Sequence, residues 1–205
     1  MQLLDKIVAY MEQKGYEIFK SPGKVNIVYV EGMNQDGTLN DDRPNSFNDI
    51  RLVFDFVDDK PRRLGLWGAS TEPGFKYTQK PMNPNGCARI AFGQYKSAWI
   101  IGSHGQKDPH QALVQVGAVT VHRDLNKDYK RTGDKKDTGL YGINQHWGGD
   151  APESDIGFWS AGCLIGRARD GHRQFMSILK SDPDYQQNKS YKFTTTIIAG
   201  DDLIS

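Results

Sequence analysis

The chain has 205 residues, of which 37% are hydrophobic and 25% charged, with a formal net charge of +1. That length suits one domain, residues 1–205, with a core of useful size, and that balance excludes a disordered chain. The near-neutral charge and the lack of a basic cluster argue against a nucleic-acid partner, and no apolar run approaches a membrane span.

Leu3, Leu4, Ile7, Val8 and Met11 recur at helical spacing, and Gly15 supplies a stop. This predicts an amphipathic helix packed on the core, followed within residues 1–20 by a strand at 16–19. Asp5 and Lys6 interrupt its apolar run, so no secretory leader is visible. The expectation is synthesis in the cytoplasm without an obvious export route. Residues 25–30 form the next predicted strand, after the turn Ser21-Pro22-Gly23. Asp36-Gly37 reads as a hairpin turn. Strands at 51–57 and 62–67 flank Asp58-Asp59-Lys60-Pro61, a predicted hairpin. Further strands are predicted at 98–101, 112–116, 119–122 and 191–198, the last rich in Thr, Ile and aromatics. Asp170 is a candidate cap for a helix running to Lys180, with Pro183 as its stop. Long polar loops fall at 32–48 and 124–138. The fold class expected is mostly β (α+β), favoured also by the 22 glycines and 11% aromatics.

The chemistry concentrates in residues 142–167, GINQHWGGDAPESDIGFWSAGCLIGR. His146 precedes Gly148-Gly149, and Ser160-Ala161-Gly162-Cys163 follows. A cysteine attacks carbonyls as its thiolate, and a neighbouring imidazole can take the proton. The His-before-Cys order argues against the papain and cell-wall amidase arrangements. Gly162 permits a tight turn and close substrate approach. The N–H groups of Gly162 and Cys163 are the candidate oxyanion hole. Strand alternation puts Asn144 and His146 on one face, with Ile143 on the other. Asn144 and Ser160 are therefore candidate orienters of the imidazole. Trp147, Trp159 and Tyr141 are candidate walls for sugar or peptide, or else core aromatics. The bland reading keeps Cys163 as a small buried hydrophobe and His146 as structural.

This segment resembles the signature of the L,D-transpeptidase (YkuD-like) catalytic domain, in its phage- and lysin-like branch. That signature runs His-x-x-Gly, a variable loop, then Ser-x-Gly-Cys and an Arg. The resemblance implies a β-sandwich with an N-terminal helix and a helix after the Cys. It implies Cys163 as nucleophile, His146 as base, and Gly149, Ser160 and Gly162 shaping the site. Two positions depart from the pattern. Ala161 stands where the common form has a second His. Ile165 stands where it has the Arg, which here falls at Arg167, a candidate clamp for a substrate carboxylate.

The function expected is cysteine-dependent acyl transfer on peptidoglycan stem peptides, needing no cofactor or metal. Carboxypeptidase or endopeptidase action and transpeptidation both remain open. Pore release or injection would carry such a protein to the wall. The alternative is a non-catalytic cell-wall-binding or phage structural protein on the same fold. A second alternative pairs Cys163 with His172. Cys87, in Asn83-Pro84-Asn85-Gly86-Cys87, reads as structural. Asp124-Leu125-Asn126-Lys127-Asp128 starts like a calcium loop but lacks its glycine, Tyr129 standing in its place. His104, His110 and His122 show no zinc spacing. His122 ends a predicted strand, as His146 does, and is kept as a candidate cleft residue.

Overall fold

A computed structural model describes residues 2–204. In chain order these form α1 (Leu3–Gln13), β1 (Asn26–Glu31), β2 (Asp49–Val57), β3 (Lys60–Ser70), α2 (Phe75–Gln79), β4 (Cys87–Ile90), β5 (Gly93–His104) and β6 (His110–Gln115). There follow β7 (Val119–Asp124), β8 (Lys135–Gly139), β9 (Gln145–Trp147), β10 (Leu164–Gly166), α3 (Arg169–Lys180), α4 (Pro183–Gln187), β11 (Phe193–Ala199) and a closing 3-10 turn, Gly200–Leu203. The expected mostly-β class with a few helices is what the chain adopts. Eight strands close into a barrel in the order β1-β11-β5-β6-β9-β10-β3-β2, and β4-β7-β8 form a separate sheet. No helix among the described residues is long and apolar enough to cross a membrane.

Alternation along the strands explains why β1 and β2 are buried on both faces. Ile27, Tyr29 and Val53 join an inner cluster with Trp99, Leu113 and Leu164. Val28, Val30, Ile50, Leu52 and Phe54 face the other way and pack under Ile7, Tyr10 and Met11 of α1. The predicted stop of α1 falls at Lys14, with Gly15 at φ +65°. The β2–β3 hairpin turns through Asp58 and Asp59 alone, both at positive φ. This is the primed turn that matches strand twist, and Asp tolerates it. α3 sets Phe175, Met176 and Leu179 into the inner cluster and lies against β3, β9 and β10.

Several sequence expectations need correction. Residues 16–19 form no strand. Their backbone donors go to side chains instead of a strand ladder: the Phe19 N–H donates to Asn26 Oδ1, and the Glu17 N–H to Gln94 Oε1. The run before His146 is strand only from Gln145, because Tyr141 and Ile143 give their N–H groups to the Gln115 side chain. The N-cap of α3 is Ala168, not Asp170. Pro183 does not merely end α3; it opens α4 after Asp182, whose carboxylate accepts from Asp184 and Tyr185.

Candidate active site

β9 and β10 are parallel neighbours, with Leu164 beside Gln145 and Ile165 beside His146. Cys163 immediately precedes β10, so it lies next to Asn144 in the same register. Strand spacing then separates the Cys163 and His146 Cα atoms by about 8 Å. Gln145 points into the barrel, accepting from Tyr29 and donating to Thr195. Asn144, just before β9, and His146 both meet His104.

The turn carrying Cys163 is built by Ser160. Its buried hydroxyl donates to the Cys163 carbonyl at 2.8 Å and accepts from the Gly162 N–H at 3.1 Å. Gly162 sits at φ +127°, and a Cβ there would come within 2.5 Å of the Ala88 carbonyl. Only glycine fits that approach. This corrects the expected oxyanion hole, since the Gly162 N–H is already committed to Ser160. The Cys163 N–H remains as the donor. Cys87, the other free thiol, backs the same turn through the Ala161 carbonyl at 3.8 Å.

The Cys163 thiol is partly buried and donates to the Gly142 carbonyl at 3.4 Å. Burial pushes its pKa up to about 11, with the Asn144 N–H opposing the rise. His146 is buried, and burial followed by the neighbouring His104 holds it well below the ordinary imidazole value. Its Nδ1 lies 2.8 Å from the Trp147 carbonyl. A carbonyl only accepts, so Nδ1 carries the proton and the lone pair is on Nε2. That is the tautomer of a general base. The resting pair is therefore a neutral thiol and a neutral imidazole.

Asn144 orients an imidazole, but not that of His146. Its Oδ1 accepts the Gln115 N–H at 2.9 Å, which turns its amide nitrogen onto His104 Nδ1 at 3.0 Å. His104 in turn stacks on His146, centroids 3.9 Å apart. His110 stacks on Trp147 at the same spacing. Two of these partners, His104 and His110, face each other across the β5–β6 hairpin. In the sequence neither shows a zinc spacing or any sign of joining the His146 cluster. Among the described residues no His or Cys belongs to a group of three or more that converge as metal ligands.

His172 reaches the same cluster from α3. Its Nδ1 accepts from Arg51 at 3.2 Å and its Nε2 donates to the Gln111 carbonyl at 2.8 Å. Both nitrogens are occupied, so His172 is poorly placed to act as a base. His122 lies elsewhere, in β7, donating to the Arg131 carbonyl at 3.0 Å. Arg167 reaches the Ala151 carbonyl and lines two cavities with Gly68, away from the sulfur.

The arginine at the aromatic walls is Arg169. It donates to the Gly149 carbonyl at 2.5 Å and to Asp150 at 2.9 Å. Its guanidinium lies 5.3 Å from the Trp147 ring and 5.9 Å from Trp159. Gly149, at φ +68°, leaves space that Trp159 fills, since a Cβ there would meet the ring at 2.0 Å. On the other side of the Cys163 turn, a cavity of about 310 Å³ is lined by Ala161, Tyr141, Ile143, Leu140 and Met82. Leu140 and Met82 are 66% and 80% exposed, giving the cavity an apolar rim.

A second polar cluster lies apart from Cys163. Glu31 pairs with Arg131 and Glu72 with Arg89, while Asp49 accepts from Gly32 and from Thr71. Burial pushes Asp49 up to about 8 and Asp42 up to about 6, the Glu31 charge adding to both. Burial also pushes Glu31 up, but Arg131 overrides it and holds that carboxyl low. Glu31, Asp42 and Glu72 are the described residues whose oxygens converge closely enough to hold a metal.

No protein-family model matches the chain, and no curated protein and no solved structure matches it.

Proposed function

We propose that this chain is a cysteine-dependent acyl-transfer enzyme of L,D-transpeptidase-like fold, acting on peptidoglycan stem peptides. The observation that supports the reading is the parallel β9–β10 pairing, with Cys163 in the turn that enters β10, held by Ser160, and His146 in β9. The Nδ1–H tautomer of His146 adds support.

The sulfur leaves the Gly142 carbonyl and attacks a peptide carbonyl whose amide nitrogen belongs to a D-residue. His146 Nε2 takes the thiol proton as the C–S bond forms. A raised thiol and a weakly basic imidazole mean that proton transfer accompanies attack rather than preceding it. The Cys163 N–H donates to the developing oxyanion. The C–N bond then breaks, and the leaving amine takes the proton from His146. Water, or the amine of a second stem, cleaves the thioester. The cavity beside Ala161 and Tyr141 would receive the stem, and pore release or injection would deliver the protein to the wall.

The test is mass spectrometry of tetrapeptide stems and cross-linked muropeptides after incubation with wild type and Cys163→Ala. A lost terminal D-residue, a cut cross-bridge or a new cross-link, seen with wild type alone, supports the reading and names the reaction. Unchanged material from folded protein refutes it.

A non-catalytic wall-binding or phage structural role is the second reading. The unactivated thiol and the depressed imidazole favour it.

A further inference from the structure

Arg51 is a fully buried cation without an acid. It projects from β2 at 0% exposure, and among the described residues no carboxylate pairs with it. The other buried arginines all have one: Arg89 has Glu72, Arg131 has Glu31 and Arg123 has Asp137. One Arg51 nitrogen, Nη1, meets His172 Nδ1 at 3.2 Å. Among the described residues Nε and Nη2 take no hydrogen-bond partner, and the one further polar group that favours the charge is the neutral Tyr29 hydroxyl. The guanidinium lies 3.9 Å from the Phe175 ring centroid and 5.3 Å from Trp67. A charge removed from water in such surroundings is costly unless something pairs with it.

A cavity of about 230 Å³ opens onto this side chain. Gly166 leaves room for the guanidinium beside the cavity, since a Cβ there would come within 2.5 Å of Arg51 Nη2. Leu66 and Trp67 give the cavity apolar walls, and Arg167 adds a second positive charge. No acidic residue lines it. Ala168 and Gly171 line it too, bringing the start of the 12-residue helix α3 to its edge. Ala168 offers that helix start no cap of its own, but Asp150 Oδ1 already accepts the Arg169 N–H at 2.8 Å, so the buried guanidinium and not the helix end is the anion-seeking group.

We propose that this cavity binds a carboxylate-bearing ligand, of the amino-acid or peptide C-terminus class. The Nε and Nη2 edge of a guanidinium is a fork that matches one carboxylate in bidentate fashion. A single negative charge neutralises the single buried cation. The walls of Leu66 and Trp67 suit an apolar group next to the carboxylate. The site is separate from Cys163, about 10 Å along β10 by strand rise, and it stands whether or not Cys163 is a nucleophile.

The test is calorimetric titration with N-acetylalanine, its neutral amide N-acetylalaninamide, and inorganic phosphate at constant ionic strength. Wild type and Cys163→Ala should bind N-acetylalanine saturably and equally, and the amide at least tenfold more weakly. Arg51→Met replaces the unpaired cation by an apolar chain of similar reach. It should weaken N-acetylalanine binding by about 10- to 100-fold, the range for a lost charged hydrogen bond. Arg167→Gln lies at the cavity edge, should fold normally and should weaken binding several-fold. That variant decides the matter if Arg51→Met does not fold. Equal binding of acid and amide, unchanged binding in either arginine variant, or no saturable binding overturns the proposal. Saturation by phosphate alone overturns the carboxylate assignment.

Discussion

Replacing Ser160 by Ala should destabilise the protein and loosen the Cys163 turn together. The hydroxyl is 1% exposed and makes two hydrogen bonds, one donated to the Cys163 carbonyl and one accepted from the Gly162 N–H. Alanine leaves both backbone groups without that partner, and Gly162 is buried. Each bond contributes about 1 kcal/mol, and an unsatisfied buried group costs about 1–3 kcal/mol. The expected loss is about 2–4 kcal/mol, because the turn relaxes in part. For a chain of this size that lowers the melting temperature by about 5–15 °C. Urea denaturation at unchanged slope measures the loss directly. The same variant should alkylate faster at Cys163, since the turn no longer holds the sulfur against Gly142. A loss under about 0.5 kcal/mol, below the range for even one such bond, with an unchanged alkylation rate, would refute the role given to Ser160.

Three further outcomes are expected. Iodoacetamide should modify partly buried Cys163 before buried Cys87, at a rate still rising above pH 9, because burial pushes the Cys163 thiol up to about 11; a plateau near pH 6 or 7 would mean a preformed ion pair instead. Gly149→Ala should cost about 1–2 kcal/mol for its left-handed backbone alone, and more because the new methyl displaces the Trp159 ring, so a change in tryptophan fluorescence should accompany the lower melting temperature. Acid should destabilise the fold through His172, whose pKa is pushed down to about 3 by burial and by Arg51.

The sign for His172 follows from its depressed value. The unfolded chain binds the proton near pH 6.5 and the folded chain only near pH 3, so the stability is complete above 6.5 and is lost as pH falls towards 3. At about 1.4 kcal/mol per unit the full loss approaches 5 kcal/mol, to order of magnitude. His172→Gln should flatten that part of the stability–pH curve, and an unchanged curve between pH 6.5 and 4 would contradict the assignment.

What the sequence revealed follows from how local each signal is. The apolar spacing of α1 and the Asp58-Asp59 turn are short-range patterns, and both elements fall where they read. β8 escaped notice because Lys135–Gly139 is a polar strand with no buried residue. β4 was hidden for a different reason: Cys87–Ile90 is a short segment interrupted by Arg89, and it becomes a buried strand only by pairing with β7 from more than thirty residues away. At the candidate site, Asn144 lies just before β9, yet it shares His104 with His146. Alternation gave no means of choosing which imidazole Asn144 would hold, since His104 arrives from β5. The commitment of the Gly162 N–H to Ser160 lay two residues away, but only the turn geometry reveals it. Arg51 carried no signal at all. An arginine in an apolar strand reads as an outward charge until its neighbours are known.

Intact-protein mass spectrometry after rapid mixing with a tetrapeptide stem looks directly for the proposed thioester on Cys163. The expected mass gain equals the stem less its terminal D-residue and one bond's worth of water, located on Cys163, slowed in His146→Ala and lost in Cys163→Ala. Folded wild-type protein that never gains that mass, with the stem returned intact, would contradict the proposal.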